Sequence, residues 1–385
     1  TQMSESAEST MRKLSSDDPI FDDIRPCRDD EIKTELAKIC SDKSVLDGIL
    51  RFRYPILSKW CGLVLRPLVR RYIKNYCDKI NSIADFQDKV AAYMRHMIDA
   101  TTDGVTFKGF DKLDPKRGYL FISNHRDISL DPAFIDLALH DAGFDTVRIA
   151  IGDNLLKTEA ASSLMRLNKS FIVKRSISAP REKLKAMTHL SSYIGSSLSE
   201  GHSIWIAERE GRAKDGDDRV EEAVLKMISL YGRSLKQDFS TYMSSLNIVP
   251  VSITYEYDPA DLSKARELKE RDENNGQYQK GELEDIESII GGIKGYKGRV
   301  SVVAGDPITS GFSSPQELAQ LIDSFIWQNY ELYPSIMIAS GKDSTVKTED
   351  KDKFMARINA YPEELRSRVL AMYAKPYENR NSLNN

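Results

Sequence analysis

His125 lies in the run YLFISNHRDISLDP, two residues before Asp127 and six before Asp131. An imidazole beside a carboxylate can donate Nδ1–H to it, which leaves Nε2 to take a proton from a hydroxyl. That is half of a Ser-His-Asp triad, with a substrate hydroxyl in place of the serine. Asp131, standing before Pro132, would also make a good helix N-cap, and one residue can do both jobs. Basic side chains recur further on: Lys174 and Arg175 in FIVKRS, then Arg212 and Lys214 in SIWIAEREGRAKDG, beside Glu208, Glu210 and Gly211. A glycine lets a phosphate approach the backbone, and an arginine presents a fork of donors matched to its oxygens. Any one of these cations is equally well read as part of a charged loop. The ordered set, with Arg126 beside the histidine, points to an anionic substrate.

The elements that must position these residues are read from periodicity. After Thr101, short β-rich runs (VTFKGF, YLFISN, TVRIAIG, FIVKR, SIWIAE, NIVPVSITYE, RVSVVAGDPI) alternate with helical stretches such as DPAFIDLALHDAG and REKLKAMTHLSSYIGSSLSE. Strands separated by helices imply crossover connections, hence an α/β fold with a largely parallel central sheet flanked by helices. His125 then falls at the carboxyl end of a strand, where such sheets place their sites. Residues 1–20 read as a disordered arm, 21–100 as an N-terminal helical region and 101–340 as the α/β domain. Within that domain 259–297 read as a helical insertion on the surface, and 341–385 as a solvated linker and C-terminal helical tail. No internal repeat is visible.

On these blocks the chain resembles the phospholipid-synthesis acyltransferases that act on glycerol 3-phosphate and lysophosphatidic acid. Their first motif is HxxxxD, often SNHxSxxDP. Here five residues rather than four separate His125 from Asp131, and Asp127 occupies the interval. Asp131 is assigned as the orienting acid because the Asp-Pro pair matches the family and restarts a helix, with Asp127 as the alternative. FIVKRS is similar to the second block, with Lys169 where a glycine is usual, and EREGR to the third, EGxR, with an extra residue. IVPVSITYE is similar to the fourth; Pro250 there suits an edge strand or a close fit and is assigned no chemistry.

The resemblance spans about 105–256. It implies transfer of a fatty acyl group from acyl-CoA or acyl-acyl-carrier protein to a hydroxyl of glycerol 3-phosphate or a lysophospholipid such as lysophosphatidic acid. His125 would be the general base and Asp131 or Asp127 its partner. Asn124, Arg126, Lys174, Arg175, Glu210, Gly211, Arg212 and Lys214 would line the substrate site. Beyond the acyl co-substrate no cofactor is expected. Two other readings stay open: a catalytically weakened lipid-binding or scaffolding protein on the same fold, and a thioesterase that uses water as acceptor.

Composition bounds the rest. With 41% hydrophobic and 29% charged residues over 385 positions, the chain reads as an ordinary globular protein. There is no HxxxH, HExxH, P-loop or GxGxxG, so no metal is expected, and Cys27, Cys40, Cys61 and Cys77 read as reduced packing residues. The start TQMSESAEST lacks a signal-peptide apolar core and no run is long enough to span a bilayer, so a cytoplasmic protein is expected. The net charge of −3 conceals an asymmetry, since residues 51–79 alone carry +7. That segment interleaves its cations with Phe52, Tyr54, Trp60, Leu63, Leu65, Leu68, Tyr72 and Ile73, as an interfacial helix would. It reads as a surface for the inner face of a membrane, or for an acidic carrier protein. Pro55 and Pro67 are expected to interrupt that helix. A nucleic-acid partner is not expected, because the core is acidic and the basic patch is confined to this region.

Overall fold

The computed structural model describes residues 14–385. Seven strands form among them: β1 (Thr102–Lys108), β2 (Leu120–Ser123), β3 (Arg148–Gly152), β4 (Ser170–Val173), β5 (Ile204–Ala207), β6 (Ile248–Tyr255) and β7 (Gly298–Ala304). They fall on the seven β-rich runs of the sequence. The chain divides into two compact units, one holding residues 93–146 and 191–385 and the other 16–92 and 147–190.

In the first unit the strand order is β1-β7-β6-β2-β5. β2 pairs in parallel with both β5 and β6, and β1 with β7; only β6 against β7 is antiparallel. Parallel neighbours need crossover connections, and the helix Leu130–Asp141 that follows β2 begins the first of them. All four residues of β2 and all eight of β6 are buried. A strand buried on both faces needs no polar alternation, which is why LFIS and IVPVSITY carry only a few small hydroxyl residues among apolar ones. β2 therefore delivers Asn124-His125-Arg126 from the most enclosed part of the sheet.

The second unit pairs β3 and β4 in parallel and adds the helices Ile32–Ser41, Lys43–Arg53 and Leu57–Cys77. Cys27, Ile32, Leu36, Ile39, Ile80 and Leu167 form its small apolar cluster. Among the described residues no helix is long and apolar enough to cross a membrane.

Several local expectations change. Residues 1–13 of the expected disordered arm lie outside the described residues. From 14 to 20 the chain is ordered: Ser16 is buried, and Asp18 caps a turn that buries Phe21 completely. Pro250 sits in a central strand, not at an edge. It is tolerated because β7 pairing begins only at Val251, so the missing N–H falls at a gap in that ladder. Pro55 separates two helices, but Pro67 lies inside Leu57–Cys77, whose kink is at Cys61 (φ −129°, ψ 19°). Cys61 is exposed and does not pack.

The segments expected to be peripheral to the α/β core are bound into it. In the stretch 259–297, the helix Asp261–Glu273 buries Asp261, Lys264, Ala265 and Glu267. The helix Thr348–Asn359 begins inside the expected linker, and Glu363–Ser382 follows it. Phe354, Ile358, Leu365, Val369, Met372 and Tyr373 from these two pack on Tyr257 and Ala265 as one apolar cluster.

Candidate active site

The turn after β2 is built around the Asp131 carboxylate. Asp131 stands in the first turn of the helix Leu130–Asp141 and is fully buried. Its Oδ2 lies 2.8 Å from His125 Nδ1 and accepts the backbone N–H groups of Arg126 at 2.7 Å and Asp127 at 3.1 Å. Its Oδ1 accepts the Tyr255 hydroxyl at 2.7 Å. A carboxylate that already receives three donors accepts from the imidazole too, so the ring proton belongs on Nδ1. Nε2 is left without a hydrogen-bond partner among the described residues.

Asp127 does something else. Its Oδ1 accepts from the N–H groups of Ser129 and Leu130 at 3.1 and 2.9 Å, which satisfies the opening donors of the helix. The extra residue in the motif thus separates two jobs: Asp127 caps and Asp131 orients. Burial beside Asp131 pushes the Asp127 carboxyl up to about 6.

Burial also holds the His125 imidazole below its ordinary value. The bond to Asp131 opposes that shift, while the charges of Arg212 and Lys264 reinforce it. The ring packs edge-on against Trp205 of β5 at 5.6 Å, and the Trp205 indole N–H donates to Ser123 Oγ at 2.9 Å. His125 is thus a fixed ring held toward its neutral form, with Nε2 open.

The substrate-facing expectations divide. Asn124 is fully buried and bridges to β6, donating to Ile253 O at 2.8 Å and accepting from Ile253 N at 2.9 Å. Its amide also donates to Asp218 at 3.0 Å. Arg126 is buried and paired with Asp218 at 2.6 Å. These two hold the motif in place, although Arg126 Nε has no hydrogen-bond partner among the described residues. Lys214 pairs with Glu267 at 2.6 Å, and Glu210 is exposed.

Gly211 adopts φ +74°, with nothing near the position a Cβ would take, so backbone conformation explains the glycine. Arg212 is half-buried and has no hydrogen bond or ion pair among the described residues. It stands next to Ala213, whose N–H donates to His125 O at 3.2 Å. Of the expected phosphate ligands in this unit, Arg212 alone keeps its guanidinium available. In the second unit, Lys174 pairs with Asp23, and Arg175 follows β4 with its guanidinium packed over Gly152.

Four contributors were not anticipated. Tyr255 fixes the far oxygen of Asp131. Asp218 gathers Asn124, Arg126 and the Tyr330 hydroxyl (2.6 Å) on one carboxylate oxygen. Lys264, fully buried, donates to Arg126 O at 2.6 Å and to Asp258 at 2.5 Å. A Cβ on Gly292 would lie 2.2 Å from Asp127 Oδ2, so only glycine lets that helix approach the cap. Their only sequence signal was polarity or smallness inside otherwise ordinary runs. Glu208, which the third block had suggested for a loop, is fully buried, and neither carboxylate oxygen has a partner among the described residues. Burial, with Asp218 and Asp323 nearby, pushes its carboxyl well above the usual carboxylate range. No three His, Cys, Asp or Glu side chains among the described residues converge as a metal ion would need.

Lys264 acts on the backbone one residue from His125, and this can be tested. Lys264→Met should destabilise the fold, because it leaves Asp258 buried without its cation, a loss of about 3–5 kcal/mol. Adding Asp258→Asn removes that charge. The double variant should regain melting temperature yet keep kcat about tenfold or more below wild type, because Arg126 O stays untethered. Recovery of both together would make Lys264 a purely structural residue.

Comparison with known proteins follows the same blocks. Residues 104–254 match the family model described as Acyltransferase, a span that holds the first three motif blocks and all of the fourth but its last two residues. No curated protein matches the chain. Among solved structures, the 1-acyl-sn-glycerophosphate (LPA) acyltransferase PlsC from Thermotoga maritima is 15% identical, covering 77% of this chain and 94% of that one. Its TM-score is 0.36, an overlap too loose to carry positions from one site to the other.

Proposed function

We propose that this chain, whose residues 104–254 match the acyltransferase family model, moves a fatty acyl group from an acyl thioester to a hydroxyl of glycerol 3-phosphate or of a lysophospholipid such as lysophosphatidic acid. The observation that carries this reading is His125: neutral, oriented through Nδ1 by Asp131 at 2.8 Å, and open at Nε2. In the reaction the acceptor hydroxyl gives its proton to Nε2 as its oxygen attacks the thioester carbonyl carbon. The C–S bond then breaks, and the proton passes from the imidazolium to the leaving thiolate. Such general-base assistance contributes about 10²–10⁴ in rate. Acyl-CoA or acyl-acyl-carrier protein is the proposed donor. A thioester is already activated, so no covalent enzyme intermediate is required.

Arg212 is the proposed anchor for the acceptor phosphate. It is a guanidinium without a partner among the described residues, in the unit that carries His125, and its charge helps to hold that ring below its ordinary pKa. A hydrogen bond to a charged group contributes about 1.5–3 kcal/mol, so Arg212→Ala should raise the acceptor KM by about tenfold or more. The thioester KM should change little. The test is to measure both constants with a phosphorylated acceptor and its dephosphorylated counterpart, following thioester loss without acceptor in parallel. Equal use of the two acceptors by wild type would remove the phosphate from the reading. Thioester cleavage that no acceptor accelerates would instead favour a hydrolase. We place the reaction at the cytoplasmic face of a membrane, supported by the basic, aromatic segment 51–79.

A further inference from the structure

The helix Leu57–Cys77 is 21 residues long and buries none of them. Its large apolar side chains are open to solvent: Trp60 and Leu63 are each 82% exposed, and Val64, Leu68, Tyr72 and Tyr76 are exposed as well. Beyond the kink at Cys61, Val64, Leu68 and Tyr72 recur every fourth residue and share one face, with Trp60 exposed just before it. Arg66, Arg70 and Lys74 follow the same spacing and form a parallel cationic stripe. Arg66 is held by Asp47 through two contacts at 2.7 and 2.9 Å. Arg70 and Lys74 have no partner among the described residues.

Arg70 and Lys74 instead border a cavity of about 330 Å³ between this helix and Ile32–Ser41. Lys33 enters from the other helix and donates to Asp78 O at 3.0 Å. Leu36, Cys40 and Cys77 supply much of the remaining wall, and Asp78 is the one acid there. Three cations around a recess with apolar walls, flanked by a stripe of exposed apolar residues, match the chemistry of a phosphate carried on a lipid.

We propose that this cavity binds the phosphate headgroup of an anionic phospholipid while Trp60 and the Val64-Leu68-Tyr72 face beyond the kink lie among the acyl chains. The proposal rests on the reading that segment 51–79 meets a membrane, and it adds a defined headgroup site to that surface. Lys33, Arg70 and Lys74 would then select acidic bilayers by coordination, beyond the diffuse attraction that any cation feels.

The experiment is co-sedimentation of the full chain with phosphatidylcholine vesicles, with and without a fraction of phosphatidylglycerol. It compares wild type, R70Q/K74Q, R71Q/K79Q and W60S. R71Q/K79Q removes the same charge from the same segment but from outside the cavity. Binding of R70Q/K74Q to the anionic vesicles should be about tenfold or more weaker than that of R71Q/K79Q, the size of a lost charge-assisted hydrogen bond. W60S should weaken binding to both vesicle types. Equal losses in the two double variants would overturn the headgroup site while leaving membrane docking in place. If wild type binds neither vesicle, both the site and the membrane reading fail. Inorganic phosphate provides the last arm: if it is bound by wild type and displaces the protein from no vesicle, the cavity serves a soluble anion and the lipid assignment falls.

Discussion

Replacement of His125 by Ala should abolish measurable acyl transfer, a loss of at least about 10²–10⁴ in turnover, while the melting temperature and circular dichroism change little. The imidazole is 12% exposed and makes one side-chain hydrogen bond, and Asp131 keeps three other donors when it is gone. Retention of activity within a few-fold of wild type would remove His125 from the chemistry. A pH profile of the wild type adds an independent check. Only the neutral ring can take a proton, and burial places its pKa below 6.5, so activity should persist as pH falls through 6.5 and decline only below it. A profile whose acid limb lies above pH 6.5 would mean a different base.

Asp131→Asn and Asp127→Asn should separate more widely than any other pair of variants one atom apart. Asn at 131 loses the carboxylate that accepts from His125, Arg126 N, Asp127 N and Tyr255, and its amide N–H can donate to Nδ1, which favours the tautomer with the proton on Nε2. Turnover should fall by about 10²–10⁴. The acid limb should also move lower, because the Asp131 interaction is what raises the His125 pKa against burial.

Asn at 127 keeps an oxygen for the Ser129 and Leu130 N–H groups, so turnover should stay within a few-fold. Its effect on stability has a definite sign. The folded carboxyl titrates near 6, above its ordinary value of 3.8, so ionising it weakens the fold as pH rises through that window. The Asn variant should therefore be at least as stable as wild type at pH 7 and lose that advantage below about pH 4. If Asp127→Asn proved the more damaging to turnover, the orienting role would move to Asp127.

Particular residues show where the sequence was sufficient. The strand before His125 and the helix after it were legible because each is a local pattern: a short, mostly apolar run for a strand buried on both faces, then Asp-Pro opening a helix. The same locality made Asp131 a credible partner for His125. The choice between Asp131 and Asp127 could not be made from spacing alone. It depends on how the backbone turns between them, and that turn places Asp127 over the Ser129 and Leu130 N–H groups.

The basic residues illustrate the limit most clearly. In sequence, Arg126, Lys214 and Arg212 are equal candidates for an anion. In the folded chain the first is paired with Asp218, the second with Glu267, and the third has no partner among the described residues. A guanidinium or ammonium is available only if no returning segment neutralises it, and nothing in its own neighbourhood encodes that. Asn124 shows the same thing for a neutral group, held by Ile253 from 129 positions away.

By itself, then, the sequence determined the succession of elements, the α/β class and the position of His125 with its acid, because these follow from periodicity and from contacts a few residues long. Tertiary structure alone decided which polar groups are framework and which are open. Asp218, Tyr255 and Lys264 reach the motif from 94 to 138 residues away. The physical reason is that a buried polar group must find a partner, and which one it finds is set by where the chain returns, not by the residues beside it.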